Sequence, residues 1–264
     1  GYTEEEYELI RNDYSIIAIQ DETLIKHLKN NFSFFLENGY SKKEVIDMTK
    51  SFPQIYGLSI ENIKQKIADL IELGYTKEEV IKMTKISPQI YSLSIENIKQ
   101  KMADLIELGY TKEEVIKMTK SLPQIYGYSI ETIKQKIGDL IKLGYTKEEV
   151  IKMTKSFPQI YSYSIETMKQ KIGDLIKLGY AKEEVIKMTK SQPTIYGYSV
   201  ENIKQKIADL IELGYTKEEV IKMTKIFPAI YSYSIATMKQ KISDLIKLGS
   251  TTEDVIKMTK SLPQ

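Results

Sequence analysis

The chain has 264 residues, 42% of them hydrophobic and 28% charged, with 38 Lys+Arg against 36 Asp+Glu for a formal net charge of +2. It holds no cysteine, no tryptophan and one histidine, His27, which excludes disulfide scaffolds, thiolate metal sites and cysteine nucleophiles and leaves little room for imidazole chemistry. The length suffices for a sizeable core, and the longest charge-free stretches, such as Ser156 to Ile165, reach ten residues, about half of a bilayer span. A soluble protein is therefore expected; no basic-then-apolar leader opens the chain, and composition assigns no compartment.

From the N-terminus, Gly1-Tyr2-Thr3 begins a divergent segment, residues 1–38, that lacks proline and runs three residues longer than the units that follow. It reads as a degenerate capping repeat, because a terminal copy must face water on one side. From Gly39 a 35-residue unit recurs without a slip: its glycines are Gly39, Gly74, Gly109, Gly144, Gly179, Gly214 and Gly249, and all seven prolines, Pro53 to Pro263, keep the same spacing. Six full copies fill residues 39–248, and a truncated seventh fills 249–264. A period of that length marks tandem supersecondary units.

Each unit predicts two helices. In the second copy Thr76-Lys77-Glu78-Glu79 is a capping box, with Tyr75 and Val80 placed for a hydrophobic staple. Val80, Ile81, Met83 and Thr84 give the first helix an apolar side, and Pro88 should end it near Ile86 or Ser87. After a short turn Ser94 caps the second helix, whose Ile95, Ile98, Met102, Leu105 and Ile106 recur at helical spacing. Gly109 sits where a left-handed residue closes it. One unit cannot bury both helices alone, so the expected fold is all-α, a superhelical solenoid of about seven two-helix repeats.

Counting each repeat from its glycine as position 1, lysines at positions 9 and 12 fall together opposite the apolar side of the first helix. These pairs are Lys82/Lys85, Lys117/Lys120, Lys152/Lys155, Lys187/Lys190, Lys222/Lys225 and Lys257/Lys260, with Asp47/Lys50 in the first copy. On the second helix the exposed arc is expected to hold Glu96, Gln100, Asp104 and Glu107, flanked by Lys99 and Lys101. One row of helices is thus basic outside and the other largely acidic. The net charge conceals this: residues 39–264 sum to +7 and residues 1–38 to −5. Two readings stand for the lysines. Glu78 and Lys82 can be an i,i+4 pair on a solvated helix, or stacking can align the lysines into a ladder matching a phosphate backbone. With Arg11 the sole arginine, bidentate guanine reading by arginine in every repeat is excluded.

Near-identical copies are informative where they differ. Position 13 carries Ser51, Ile86, Ser121, Ser156, Ser191, Ile226 and Ser261; position 14 carries Phe52, Ser87, Leu122, Phe157, Gln192, Phe227 and Leu262; position 16 carries Gln54, Gln89, Gln124, Gln159, Thr194, Ala229 and Gln264. Variation beside a fixed cationic row fits modular readout of a polymer, constant residues on phosphates and changing ones on bases, or drift between packed helices, above all at position 14. A second set switches together: Asn62, Asn97 and Asn202 go with Ala68, Ala103 and Ala208 and with Glu72, Glu107 and Glu212, whereas Thr132, Thr167 and Thr237 go with Gly138, Gly173 and Ser243 and with Lys142, Lys177 and Lys247. Copying of whole units explains that set. Of the 19 tyrosines, Tyr56, Tyr91, Tyr126, Tyr161, Tyr196 and Tyr231 follow the proline turn; wedging between repeats, hydroxyl to a loop carbonyl, is favoured over base stacking.

Neither the pentatricopeptide nor the tetratricopeptide pattern fits. The mid-unit proline and the Leu-Gly-Tyr junction, as in Leu108-Gly109-Tyr110 with Pro123, Ile125, Tyr126, Ser129 and Ile133, resemble the mitochondrial transcription termination factor (mTERF) family from Gly39 onward and more loosely from Gly1. The resemblance implies helix pairs with a short 3₁₀ turn after the proline, curved into a solenoid that binds double-stranded DNA or structured RNA along a basic concave path, in transcription termination, organelle gene expression or RNA processing. The uniform, lysine-only copies are also similar to transcription activator-like effectors, which points to a bacterial or symbiont modular binder, in cytoplasm, host nucleus or organelle.

The function expected is non-enzymatic, modular nucleic-acid binding, DNA ahead of RNA, with the lysines of positions 9 and 12 on the backbone and positions 13 and 16 facing bases. The alternative is a protein-interaction solenoid holding a peptide or helix. A monomer without cofactor, metal, membrane or small-molecule partner is expected. The carboxylates recur in every copy as caps and surface charges, and His27 lies among Leu24, Ile25 and Leu28 at a core edge, so no catalytic set emerges.

Overall fold

The computed structural model describes residues 2–12 and 20–261. Two helices, α1 (Glu4–Arg11) and α2 (Asp21–Glu37), come first. The repeats then contribute α3 (Lys42–Ser51) and α4 (Ile60–Glu72), α5 (Lys77–Ile86) and α6 (Ile95–Leu108), α7 (Lys112–Ser121) and α8 (Ile130–Leu143), α9 (Lys147–Ser156) and α10 (Ile165–Leu178), α11 (Lys182–Ser191) and α12 (Val200–Glu212), α13 (Lys217–Ile226) and α14 (Ile235–Lys247), and α15 (Thr252–Ser261). Within the six full copies a 3₁₀ turn of five residues starts at the proline, from Pro53–Gly57 to Pro228–Ser232. The fold is all-α, with no strand among the described residues, and no helix is long and apolar enough to cross a membrane among them.

Gly1–Thr132 and Ile133–Gln264 form two compact units. In the first, α5 packs on α7 and α4 on α6; in the second, α9 packs on α11, α11 on α13, and α10 on α12. First helices thus layer on first helices and second on second, the stacking of a solenoid.

Local signals set the element ends. The amide of Thr76 donates to Glu79 Oε2 at 3.0 Å and the amide of Glu79 to Thr76 Oγ1 at 3.2 Å, a reciprocal capping box. In the fifth copy Ala181 has no hydroxyl to give, and only its amide bond to Glu184 Oε2, 2.8 Å, remains. Helix α5 ends at Ile86, and Pro88 opens the 3₁₀ turn. Ser94 Oγ accepts the amide of Asn97 at 3.1 Å to start α6. At its other end Gly109 takes φ +117°, while the amides of Tyr110 and Gly109 reach the carbonyls of Leu105 and Ile106, closing a Schellman motif.

Each layer of core combines Val, Met, Ile and Tyr of the first helix and turn with Ile and Leu of the second: Val80, Met83, Ile90, Tyr91, Ile98 and Leu105 are all buried. What joins layer to layer is polar. In the second unit Tyr145 Oη lies 2.5 Å from both Thr189 Oγ1 and Tyr196 Oη of the next repeat, and Tyr180 repeats this with Thr224 at 2.5 Å and Tyr231 at 2.6 Å. Thr189 Oγ1 donates its proton to the Val185 carbonyl at 2.8 Å. It must therefore accept from Tyr145, which in turn accepts from Tyr196, because a hydroxyl has a single proton to give. The chain runs Tyr196 to Tyr145 to Thr189 to the helix carbonyl. Burial holds the phenols of Tyr145 and Tyr196 above the usual tyrosine range, so they remain protonated donors. In the first unit Tyr40 meets Thr84 and Tyr91 alike. Tyr2, ahead of the regular array, does so with Thr49 and Tyr56.

These contacts settle the tyrosines after the proline turn: they wedge between repeats, and their hydroxyls meet hydroxyls of Tyr and Thr instead of a loop carbonyl. With Tyr56 and Tyr91 0% and 4% exposed, no ring face is left for a base.

A second tie comes from position 28 of the second helix. Lys66 Nζ donates to the carbonyl of Leu93, and Lys136, Lys171 and Lys206 donate to those of Tyr163, Tyr198 and Tyr233, each in the following repeat. Desolvation lowers the pKa of all four lysines. Lys101, expected on the flank of the exposed arc, is 9% exposed. Lys99 and Gln100 are exposed as expected. His27 is half-buried at the edge of the first layer, its Nδ1 2.6 Å from the Tyr56 carbonyl; a carbonyl only accepts, so Nδ1 carries the proton.

Removing one hydroxyl from the relay strands its neighbours: Thr189→Val is expected to cost about 1–3 kcal/mol, read as a lower urea midpoint. Gly138 and Gly173 lie inside α8 and α10 where an added Cβ meets nothing within 4 Å. Gly138→Ala and Gly173→Ala should each stabilise by about 0.5–1 kcal/mol, visible as a higher Tm.

Candidate nucleic-acid interface

The first helix of each repeat turns its apolar side, Val80, Met83 and Thr84 in α5, into the layers, so the side chains at positions 5, 9 and 13 stand outward. Lys82, Lys117, Lys152, Lys187, Lys222 and Lys257 at position 9 are all exposed. One turn on, Ser51, Ile86, Ser121, Ser156, Ser191 and Ile226 at position 13 are exposed too. The first residues after the proline follow them: Gln54, Gln89 and Gln124 are exposed, Gln159, Thr194 and Ala229 half-buried. Positions 9 and 13, four residues apart, thus share the exposed side of the first helix, while position 16 follows in the 3₁₀ turn. The side chain of Lys260, and Gln264, lie outside the described residues.

The lysines at position 12 stand differently. Lys85 Nζ is 2.8 Å from Glu44 Oε2, Lys120 2.6 Å from Glu79 Oε1, Lys190 2.6 Å from Glu149 Oε1 and Lys225 2.7 Å from Glu184 Oε1. Lys50 pairs with Glu6 at 3.6 Å. The partner is each time the glutamate that completes the capping box of the preceding repeat, so one carboxylate caps its own helix and binds the next. Lys85 also lies 5.1 Å over the Tyr40 ring. Their side chains are 26–40% exposed, and Lys155 is half-buried. The position-9 and position-12 lysines thus differ in kind, outward cation and inter-repeat tie, where the sequence placed both in one ladder.

At the variable positions the hydroxyls of Ser51, Ser156 and Ser191 donate to the carbonyls of Met48, Met153 and Met188 at 2.8–3.0 Å, leaving oxygen lone pairs outward. Position 14 is buried as Phe52, Ser87 and Leu122. Where it is polar it engages position 16: Ser87 Oγ donates to Gln89 Oε1 at 3.1 Å, and Gln192 Nε2 to Thr194 Oγ1 at 2.7 Å. Packing accounts for that part of the variation. Sequence reasoning missed the glutamate partners, whose signal was their constant offset of 41 residues from the lysines. It also missed the ring pairs Phe157–Tyr163 and Phe227–Tyr233, with centroids 6.2 and 5.9 Å apart.

The lysine partner depresses the pKa of the capping glutamates. Lys85 and then the Ser41 amide hold Glu44 down at about 2, and Glu79, Glu149 and Glu184 are lowered by Lys120, Lys190 and Lys225 ahead of their capping amides. A depressed carboxylate contributes stability that is full above its unfolded pKa, about 4.3, and disappears as pH falls through the folded value. Urea midpoints should fall between pH 5 and pH 2. A variant with Glu44, Glu79, Glu149 and Glu184 changed to Gln should start lower at neutral pH and show a flatter profile over that window.

A family model described as mTERF matches residues 6–142, 135–177 and 171–264. No curated protein matches the chain significantly. Together these segments run from residue 6 to residue 264, in keeping with the proline-centred helix pairs. The chain belongs to the mTERF family, helical-repeat proteins known for nucleic-acid binding.

Proposed function

We propose that this protein is a non-enzymatic, modular binder of nucleic acid, double-stranded DNA by preference. The position-9 lysines hold phosphates, and the exposed residues at positions 13 and 16 meet bases. The observation that carries this reading is the repetition on one outer helix face of an exposed lysine, constant from the second copy onward, beside residues that change from copy to copy. Constant cations position a polyanion and variable neighbours specify it. A peptide groove would call for a continuous apolar lining, whereas the exposed residues at position 9 and at four of the six position-13 sites described are lysine and serine.

The position-12 lysines Lys50, Lys85, Lys120, Lys155, Lys190 and Lys225 are secondary in this scheme. A phosphate reaching the paired ones exchanges one oxyanion for another and leaves a glutamate unpaired, so their net gain is smaller. Fluorescence anisotropy with the full chain separates the two sets. Lys152→Glu, Lys187→Glu and Lys222→Glu together should weaken binding at least tenfold and lower the slope of log K against log salt by about 0.9 for each lysine lost. Lys120→Gln, Lys190→Gln and Lys225→Gln should change binding less and lower the Tm more. Equal binding by wild type and the charge-reversed protein, or binding that ignores salt between 50 and 200 mM, would remove the proposal.

A further inference from the structure

Ile86 and Ile226 end α5 and α13 with half or more of their surface in water, 50% and 62%. Each stands four residues beyond an exposed lysine, Lys82 or Lys222, and three residues before the position-16 side chain, Gln89 or Ala229. In the first, third, fourth and fifth copies the serine at this place returns its hydroxyl to the carbonyl three residues back, a bond that isoleucine cannot make, and the branched side chain is half or more exposed.

Nor does unit copying account for the pair. The second copy carries the Asn97, Ala103, Glu107 form of the second helix and the turn Ser87-Pro88-Gln89; the sixth carries the Thr237, Ser243, Lys247 form and Phe227-Pro228-Ala229. Isoleucine therefore occurs in both backgrounds, uncoupled from the set that switches together.

An apolar side chain held outward beside a phosphate-binding cation has one apolar target on the base edges of a duplex, the C5-methyl group of thymine in the major groove. Building on the function proposed above, we infer that Ile86 and Ile226 are thymine-methyl subsites and that the ligand is thymine-containing double-stranded DNA. RNA offers no such group, since uracil lacks the methyl and the A-form major groove closes to side chains. The serine repeats, short and polar at the same point, make no such demand. Each isoleucine acts within its own repeat.

The test begins by selecting duplexes from a randomised DNA pool with the full chain. Two positions of strong thymine preference are expected in the selected site. Replacing either thymine by deoxyuridine removes the methyl alone and should weaken binding about threefold to fivefold, the range for returning one methyl to water. Ile86→Ser and Ile226→Ser install the residue the other repeats carry, so folding is retained. Each should produce a similar loss at one of the two positions and abolish the deoxyuridine effect there, the non-additivity of groups in contact. Salt-dependent DNA binding in which deoxyuridine and both Ser variants change nothing, or change affinity additively, overturns the methyl subsites while the function stands. Tighter binding to a parallel randomised RNA pool than to the DNA pool overturns the inference and the preference for DNA, and leaves nucleic-acid binding itself standing. Absence of salt-dependent binding to any nucleic acid overturns the function, and the subsites with it.

Discussion

A tyrosine hydroxyl that finds its partners only in the next repeat is the contact on which the rest of this molecule depends. Tyr145 could not be buried at 2% exposure without Thr189 and Tyr196 to complete its hydrogen bonds, because an unpaired buried hydroxyl costs free energy. The apolar layers are tolerant of sliding. A three-hydroxyl relay anchored on a helix carbonyl is directional and fixes the register of one helix pair on the next within each unit. Position-28 lysines fasten the second helices to the following turn in the same way. The repeat is thus incomplete in polar as well as apolar terms.

That register decides what the outer face can do. Once the first helices are locked with Val, Met and Thr inward, the side chains at 5, 9 and 13 stand on the exposed side. Position 12, about 100° around the helix from position 13, meets the capping glutamate of the repeat before it. The same two charges that look like surface decoration in the sequence therefore divide labour. The glutamate caps a helix and clasps its neighbour, the position-12 lysine completes that clasp, and the position-9 lysine stands exposed. A stripe of cations close enough to repel one another is tempered by this pairing, which leaves the surface basic without concentrating its charge.

The helices, their caps and the proline turn were legible because their causes are local. Thr76 to Glu79, Pro88 and Gly109 each act on residues within a few positions along the chain, and the Leu-Gly-Tyr junction recurs at the second to sixth copies. What escaped is what lies one repeat away. Lys101 projects onto the flank of an exposed arc when α6 is drawn alone, and is buried once the next repeat is stacked on it. Tyr91 was read as a wedge correctly, but its hydroxyl partner was misassigned, because Tyr40 is 51 residues distant. Position 12 of the candidate site failed to separate from position 9 for the same reason: its carboxylate partner sits 41 residues upstream. A helical projection sees one cylinder, and in a repeat protein half of each residue's surroundings belong to another.

Stability and the recognition proposed for the outer positions are consequently written into different places of the same 35-residue unit. Every tie between repeats uses side chains held nearly constant, at the tyrosine, threonine, glutamate and lysine places, so exchanging one outward residue leaves the joints untouched. This is why Ser191 and Ile226 can occupy the same point of neighbouring repeats with the same helix end and the same proline turn around them. It also explains why position 14 is a poor carrier of recognition despite being the most varied: it points inward, and its changes are absorbed by Gln89, Thr194 or an aromatic neighbour. Only where variation coincides with exposure, and where the residue chosen gives up an internal bond that its alternative would make, does a ligand supply the missing reason for the choice.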